Sequence, residues 1–450
     1  MSVMLYVLIH DKSLQEHIMP DSIKHTVVKQ ENLDPQISKI IDSVLKINEP
    51  AEYNDYEIVA KVLFQALNFF PPLYAQSILG PIRTWIPPHK KESEFNIIDF
   101  WRPIRTANYL VDTLVPAFSH APGPWTRTLL PPVIQNLFWR PSNYFQQADL
   151  LLSVTSFINE QWIYVNGIAT NEDVAMMNSE LLSQLFKRPI TVVHNQTDST
   201  ILDLVQCVTG KVFKTSPNLN DEQSMTEPAI KATVVVLDAL KDPAKDRVVL
   251  LCHSQGTIIT ANVLRELQKS VSQIKAVHQA PELKLTLQLN YLERVAFELF
   301  WMEAIFTFSD EELDSYLVSM MKKLEVYTFA NCADKMNYVC HSTNNKGELI
   351  GLPYIENFAN QFDLVARLGV LSPLRENGDI IEIDGALYEK QGGNAWGHLL
   401  NQHYLFGIAD YLQNSDKKTN PYALQAGETS TVLPRLYRYY DGARPDAYYE

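Results

Sequence analysis

Arg247-Val248-Val249-Leu250-Leu251-Cys252-His253-Ser254-Gln255-Gly256-Thr257-Ile258-Ile259-Thr260-Ala261-Asn262 is the stretch on which the reading of this chain turns. An apolar run passes through a bend of small and polar residues into a helical pattern, which predicts a buried strand, a sharp turn and a helix. A serine on such a turn is lifted above the sheet edge, while Gly256 lets the next helix approach the strand closely. The start of that helix favours negative charge developing beside it. Ser254 is therefore the candidate nucleophile. The pattern departs from G-x-S-x-G at its first position, where Cys252 adds volume to the packed turn. A strand-end cysteine is usually a buried, inert thiol, so Cys252 is not the expected nucleophile. His253 is read as structural, its ring turned away from Ser254.

A serine hydroxyl is a weak nucleophile until an imidazole takes its proton, and the imidazole needs a carboxylate to fix its tautomer. In the order serine, acid, histidine, Asp363 is the preferred acid because it follows the apolar run 354–359. Its competing reading is a helix N-cap before 364–368. Asp334 is the reserve. Two histidines precede a last amphipathic segment, 404–412. His403 is preferred as base because it enters that segment with Phe406 three residues on; His398, after Gly397, is the alternative. For the oxyanion, the amide of Gln255 is one expected donor. The second is expected from Trp162-Ile163-Tyr164-Val165-Asn166-Gly167-Ile168, where Gly167 permits the turn and Ile168 presents its amide. Asn166-Gly167 is equally a plain turn signal.

Outward from this constellation, residues 151–412 read as an α/β unit. Short apolar runs predict strands over 161–165, 190–194, 248–252, 324–330 and 354–359, each apolar enough to be covered on both faces. Helices are predicted over 172–186 and 227–240, the second stopped by Asp242-Pro243. The span 283–324 is longer than an ordinary crossover and is read as a helical insertion. Its apolar middle, 295–306, suits a lid or an interfacial helix, with a buried core helix as the alternative. Residues 1–150 carry Phe69-Phe70-Pro71-Pro72, Trp85-Ile86-Pro87-Pro88 and Pro122-Gly123-Pro124-Trp125, which cut regular elements short. They are read as an extension packing on the core, or else as an ordinary helical domain, with a strand over 1–9. The tail, 413–450, is polar and then tyrosine-rich and receives no role.

With 450 residues, 46% hydrophobic and 20% charged, the chain is long and apolar enough to fold around a large core. Its net charge of -14 repels phosphate backbones, which excludes nucleic acid as the expected partner. Cys207, Cys252, Cys332 and Cys340 are too scattered for a disulfide framework or a paired zinc site, which fits a reducing compartment. The apolar opening lacks a basic stretch and a cleavage site, so no signal peptide is expected. The best candidate for a membrane span, 62–88, is broken by Pro71, Pro72 and Pro81. A soluble, cytoplasmic or at most peripheral membrane protein is expected.

With these residues assembled, the chain resembles the α/β-hydrolase superfamily over about 161–412, and within it the serine lipase-like branch. Val326-Tyr327-Thr328-Phe329 followed by Asp363-Leu364-Val365 looks like the strand and acid loop of fungal class 3 lipases. Phe100-Trp101-Arg102-Pro103, Tyr164-Val165-Asn166-Gly167, His253-Ser254-Gln255-Gly256 and Gly397-His398-Leu399-Leu400-Asn401 resemble a group of fungal hydrolase-like proteins. The resemblance implies a mostly parallel sheet flanked by helices, a Ser-Asp-His triad, and no metal or organic cofactor. The expected activity is carboxylic ester hydrolysis through an acyl-enzyme on Ser254, with acyl lipids favoured by the apolar 295–306 stretch. Two alternatives stand beside it: a non-catalytic hydrolase-like scaffold binding a protein or lipid partner, and an acyltransferase using the same triad.

Overall fold

The computed structural model describes residues 90–96, 143–147, 158–167, 170–195, 227–279, 309–372, 381–392, 395, 397–416, 419–424 and 432–448. The expected strand over 1–9, the segment 62–88, Phe100 to Pro103, Ile168 and the apolar stretch 295–306 lie outside the described residues.

In chain order the elements are strand β1 (Asn143–Gln147), β2 (Glu160–Val165), helix α1 (Glu172–Phe186), β3 (Ile190–His194), α2 (Glu227–Lys241), β4 (Arg247–His253) and α3 (Gln255–Gln279). Then come α4 (Asp310–Lys323), β5 (Leu324–Phe329), β6 (Lys335–Met336), β7 (Cys340–Thr343), β8 (Leu349–Leu352), β9 (Tyr354–Asn360) and α5 (Leu364–Leu368). The chain closes with β10 (Glu382–Ile383), β11 (Ala386–Lys390), a π-helical turn Leu400–Leu405, α6 (Phe406–Gln413), β12 (Ala423–Leu424) and a 3-10 segment Arg435–Gly442. Eight strands form one sheet in the order β1-β3-β2-β4-β5-β9-β11-β12. The run from β3 to β11 is parallel, and β1 and β12 close its edges antiparallel.

β4 and β5 are buried along their whole length, as strands without alternation must be when both faces are covered. The helices begin where the sequence caps them. The Asn171 side chain accepts from the Val174 amide at 3.1 Å, and Ser309 with Glu312 closes a capping box on α4.

From β2 the chain crosses through α1 to β3, then returns through α2 past β2 to β4, and continues by α3 and α4 to β5. Right-handed crossovers therefore put α1 on one face and α2, α3 and α4 on the other. In keeping with that, α2, α3 and α4 pack on one another, while α1 packs on the π-helical turn and the C-terminal 3-10 segment. The strand order reverses between β2 and β4, and open α/β sheets place their ligands beyond the C-terminal ends of the strands at such a reversal.

The boundaries at 150 and 412 do not divide the sheet. Asn143–Gln147 is an edge strand, and Ala423–Leu424 closes the other edge. Residues 310–323, counted with the insertion, form the crossover helix α4 into β5. The tail carries buried Leu436, Tyr437 and Tyr439, so two of its tyrosines belong to the core, while Tyr448 is exposed. Edge strands and short polar segments lack the unbroken apolar run by which central strands announce themselves.

Candidate active site

Ser254 follows β4 with φ of 57°, a left-handed conformation that non-glycine residues seldom adopt. Its amide donates to the Phe329 carbonyl at 3.0 Å, and its carbonyl accepts from the Thr257 amide and hydroxyl at 2.8 and 2.7 Å. The bend needs room on its far side. A Cβ on Gly256 would stand 2.4 Å from the Val165 carbonyl oxygen, and one on Gly167 would stand 2.5 Å from Ser254 Cβ. Both glycines are thus required by close approach of backbone between β2 and the elbow.

His398 stands beside the serine. Its Nε2 lies 2.8 Å from Ser254 Oγ, and its Nδ1 lies 2.9 Å from Asp363 Oδ2 and 3.1 Å from Oδ1. The expectation that His403 is this ring is corrected by the geometry. His403 Nδ1 accepts from the Leu399 amide at 2.9 Å, and the ring packs on Gly397, where a Cβ would come within 2.4 Å of it. Gly397 has φ of 96°. The i, i+4 spacing from Leu399 makes His403 the clamp of the loop that carries His398. Neither histidine has a strand end or cap that separates them in the sequence; the packing of the loop does.

Asp363 fills both of its sequence readings. Oδ1 accepts from the Val365 and Ala366 amides at 2.8 and 3.4 Å, capping α5, while Oδ2 also accepts from the Tyr404 hydroxyl at 2.6 Å. The reserve, Asp334, pairs its carbonyl with the Glu382 amide beside β10 and takes no part in this group. Tyr404 was not singled out as a site residue, for a tyrosine in an amphipathic stretch carries no signal of its partner. The same holds for His253. Its Nε2 donates to the His398 carbonyl at 2.7 Å and its ring stacks on His398 with centroids 4.7 Å apart, so it faces the site rather than turning away.

Burial disfavours charge on all three rings, and their neighbours decide the outcome. It pushes His253 down to about 3 and His403 down to about 4. Burial would lower His398 too, but the Asp363 carboxylate outweighs it and the net shift is upward. Burial likewise works to raise Asp363, yet the charge and hydrogen bond of His398 and the Tyr404 hydroxyl leave it lowered. His398 is thus the ring built to accept a proton.

Cys252 is buried, its Sγ donates to the Tyr327 carbonyl at 3.7 Å, and burial pushes its thiol up to about 12. It is an inert strand-end thiol. On the oxyanion side, Gln255 opens α3, so its amide begins the helix beside Ser254. Its side-chain oxygen accepts from Asn195 Nδ2 at 2.7 Å. Asn166 ties the ends of β2 and β3 together, accepting from the Asn195 amide at 2.7 Å and donating to the Gly167 and Asn195 carbonyls at 2.9 Å. Gly167 therefore ends on a fixed backbone; Ile168 is not among the described residues. Among the described residues no three His, Cys, Asp or Glu side chains converge as metal ligands would.

No family model matches the chain, and neither a curated protein nor a solved structure matches it.

Proposed function

We propose that this protein is a serine hydrolase of the α/β-hydrolase type that cleaves carboxylic esters through an acyl-enzyme on Ser254. The observation that carries the reading is the aligned relay of Ser254 Oγ, His398 and Asp363 at 2.8 and 2.9 Å, mounted on a left-handed serine at the switch point of a parallel sheet. The order of the strands, with Ser254 after β4, Asp363 after β9 and His398 after β11, supports the same fold assignment.

In this mechanism Ser254 Oγ attacks the ester carbonyl while His398 Nε2 takes the hydroxyl proton. Asp363 holds Nδ1 and stabilises the imidazolium as it forms. The carbonyl oxygen, now an oxyanion, is met by the Gln255 amide and by a second amide expected just past Gly167. Nε2 then returns its proton to the leaving alcohol, and a water deprotonated by the same nitrogen frees the acid. Ser254 is 1% exposed, so admitting an ester requires the groups above it to give way. Acyl lipids remain the proposed substrate class on the strength of the apolar 295–306 stretch. Among the described residues no helix is long and apolar enough to cross a membrane. A cytoplasmic enzyme with peripheral contact to a lipid interface is the proposed setting.

The test is active-site labelling with a fluorophosphonate. The native chain should label and Ser254→Ala should not; equal labelling of both removes Ser254 from the chemistry. Faster turnover of short soluble esters than of dispersed acyl lipids would withdraw the lipid assignment, and product partition in the presence of an added alcohol separates hydrolysis from acyl transfer.

A further inference from the structure

Glu94 stands far up the chain from the triad, on the 3-10 turn Glu94–Asn96, yet its buried carboxylate reaches the backbone immediately beyond His398. Oε1 accepts from the Asn401 amide at 2.7 Å and Oε2 from the Gln402 amide at 3.0 Å. Neighbouring residues fasten the same contact: Asn401 Nδ2 donates to the Glu92 carbonyl at 2.7 Å and the Ser93 hydroxyl to Gln402 Oε1 at 2.7 Å. Leu399, which opens the π-helical turn, supplies no side-chain cap of its own.

We propose that Glu94 is a positioning residue of the site, delivered by the N-terminal region to hold the backbone after His398 so that the imidazole stays aligned between Ser254 and Asp363. This rests on the hydrolase reading. The backbone from 398 to 402 is gripped at successive polar groups. His253 holds the His398 carbonyl, the His403 ring holds the Leu399 amide, the His403 amide holds the Leu399 carbonyl, and Glu94 holds the amides of Asn401 and Gln402. A carboxylate seldom enters a protein interior unless donors await it, because burial without them is costly. Here burial raises its pKa to about 7, against the pull of the Asn401 and Gln402 amides and of His398.

Glu94 also acts on the ring by charge. The titratable groups that face it are His398 and, from β2, Tyr164. Those around His398 are Asp363, Cys332, Glu94, His253 and His403. Where it is ionised, above about 7, Glu94 raises the proton affinity of His398, so removing the charge should lower it.

The experiment measures the rate of fluorophosphonate labelling of the full chain against pH. Glu94→Ala should slow labelling about a hundredfold and Glu94→Gln about tenfold, the retained oxygen holding one amide. In both, the acid limb should move to lower pH. An unchanged rate, or slower labelling with the limb in its original place, overturns the proposal, the latter marking Glu94 as merely structural. Should Glu94→Ala not fold, the near-isosteric Glu94→Gln decides alone. Ser254→Ala and His398→Ala run alongside: if they still label, the hydrolase reading has failed rather than this one.

Discussion

The two ends of the sheet bury charge in opposite ways. Beyond the C-terminal ends lie Asp363, His398 and Ser254; at the N-terminal ends lie Glu160 with Arg188, and Glu325 with Arg435 and Arg247. In these two clusters every charge is met by a permanent partner. Glu325 accepts from Arg435 at 2.9 and 3.2 Å, from Tyr327 at 2.6 Å and from Tyr439 at 2.7 Å, with Arg247 3.5 Å away. Arg188 donates to Glu160 and to the carbonyls of Phe186 and Ala443. At the C-terminal ends the carboxylate has no fixed cation. Its partner is an imidazole that becomes cationic only by taking a proton, and the donor in reach is a serine hydroxyl. The first arrangement fixes structure; the second leaves one charge to be made during reaction.

The sharpest way to break this comparison is to remove one member from each end. His398→Ala should lower ester turnover by on the order of 10⁴- to 10⁶-fold while costing about 1–3 kcal/mol in stability, since Asp363 keeps the Tyr404 hydroxyl and the Val365 amide. Because the base works as neutral imidazole and its pKa is raised, native activity should fall as pH drops through a limb above the ordinary histidine value of 6.5. A limb well below that value would contradict the relay. At the other end, Glu325→Ala strands two arginines and two tyrosine hydroxyls, and should cost about 3–5 kcal/mol in denaturant unfolding with turnover per folded molecule within about twofold of native. If His398→Ala unfolds the chain and Glu325→Ala silences it, the division of labour between the ends is wrong.

Legibility in the sequence followed the same division. The central strands announced themselves because β4 and β5, buried on both faces, are mostly apolar, Val248 to Cys252 without a break and β5 but for Glu325 and Thr328, and the elbow announced itself because a serine and Gly256 at that spacing have a steric reason to be there. Asp363 was legible as the residue just past such a run. The supporting contacts were not. Glu94 lies more than 300 positions from the amides it holds, and Glu325 meets Arg435 across 110 residues. Such pairings have no local pattern, since they depend on which chain segments the topology brings together. The tyrosine-rich tail belongs here too: Tyr439 is buried against Trp162 and Glu325, a placement that a polar-looking terminus does not advertise. His403 was preferred over His398 because it enters the last amphipathic segment with Phe406 three residues on, but its ring instead holds the Leu399 amide, while His398 reaches the serine.

Tyr404 sharpens the comparison because it belongs to both regimes. Its hydroxyl donates to Asp363 Oδ2 at 2.6 Å and accepts from the Asn360 amide at 3.2 Å, at the end of β9. Tyr404→Phe removes one hydrogen bond from the carboxylate, but Asp363 keeps the Val365 amide and His398. Turnover should therefore drop about tenfold or less, far short of the loss on removing His398. The Asn360 amide, buried and now without this acceptor, should add a stability cost of about 1–3 kcal/mol. Without the tyrosine hydroxyl the Asp363 carboxylate is less well satisfied and its pKa should rise. Since a lowered carboxylate contributes stability that is present above its unfolded value and lost as pH falls through its folded one, the variant should lose that contribution at higher pH than native. A thermal melt series from pH 6 down to pH 3, set beside the turnover rate, reads both effects. A variant with native stability and a His398-sized loss of activity would place Tyr404 wholly with the chemistry, and one with native activity would place it wholly with the scaffold.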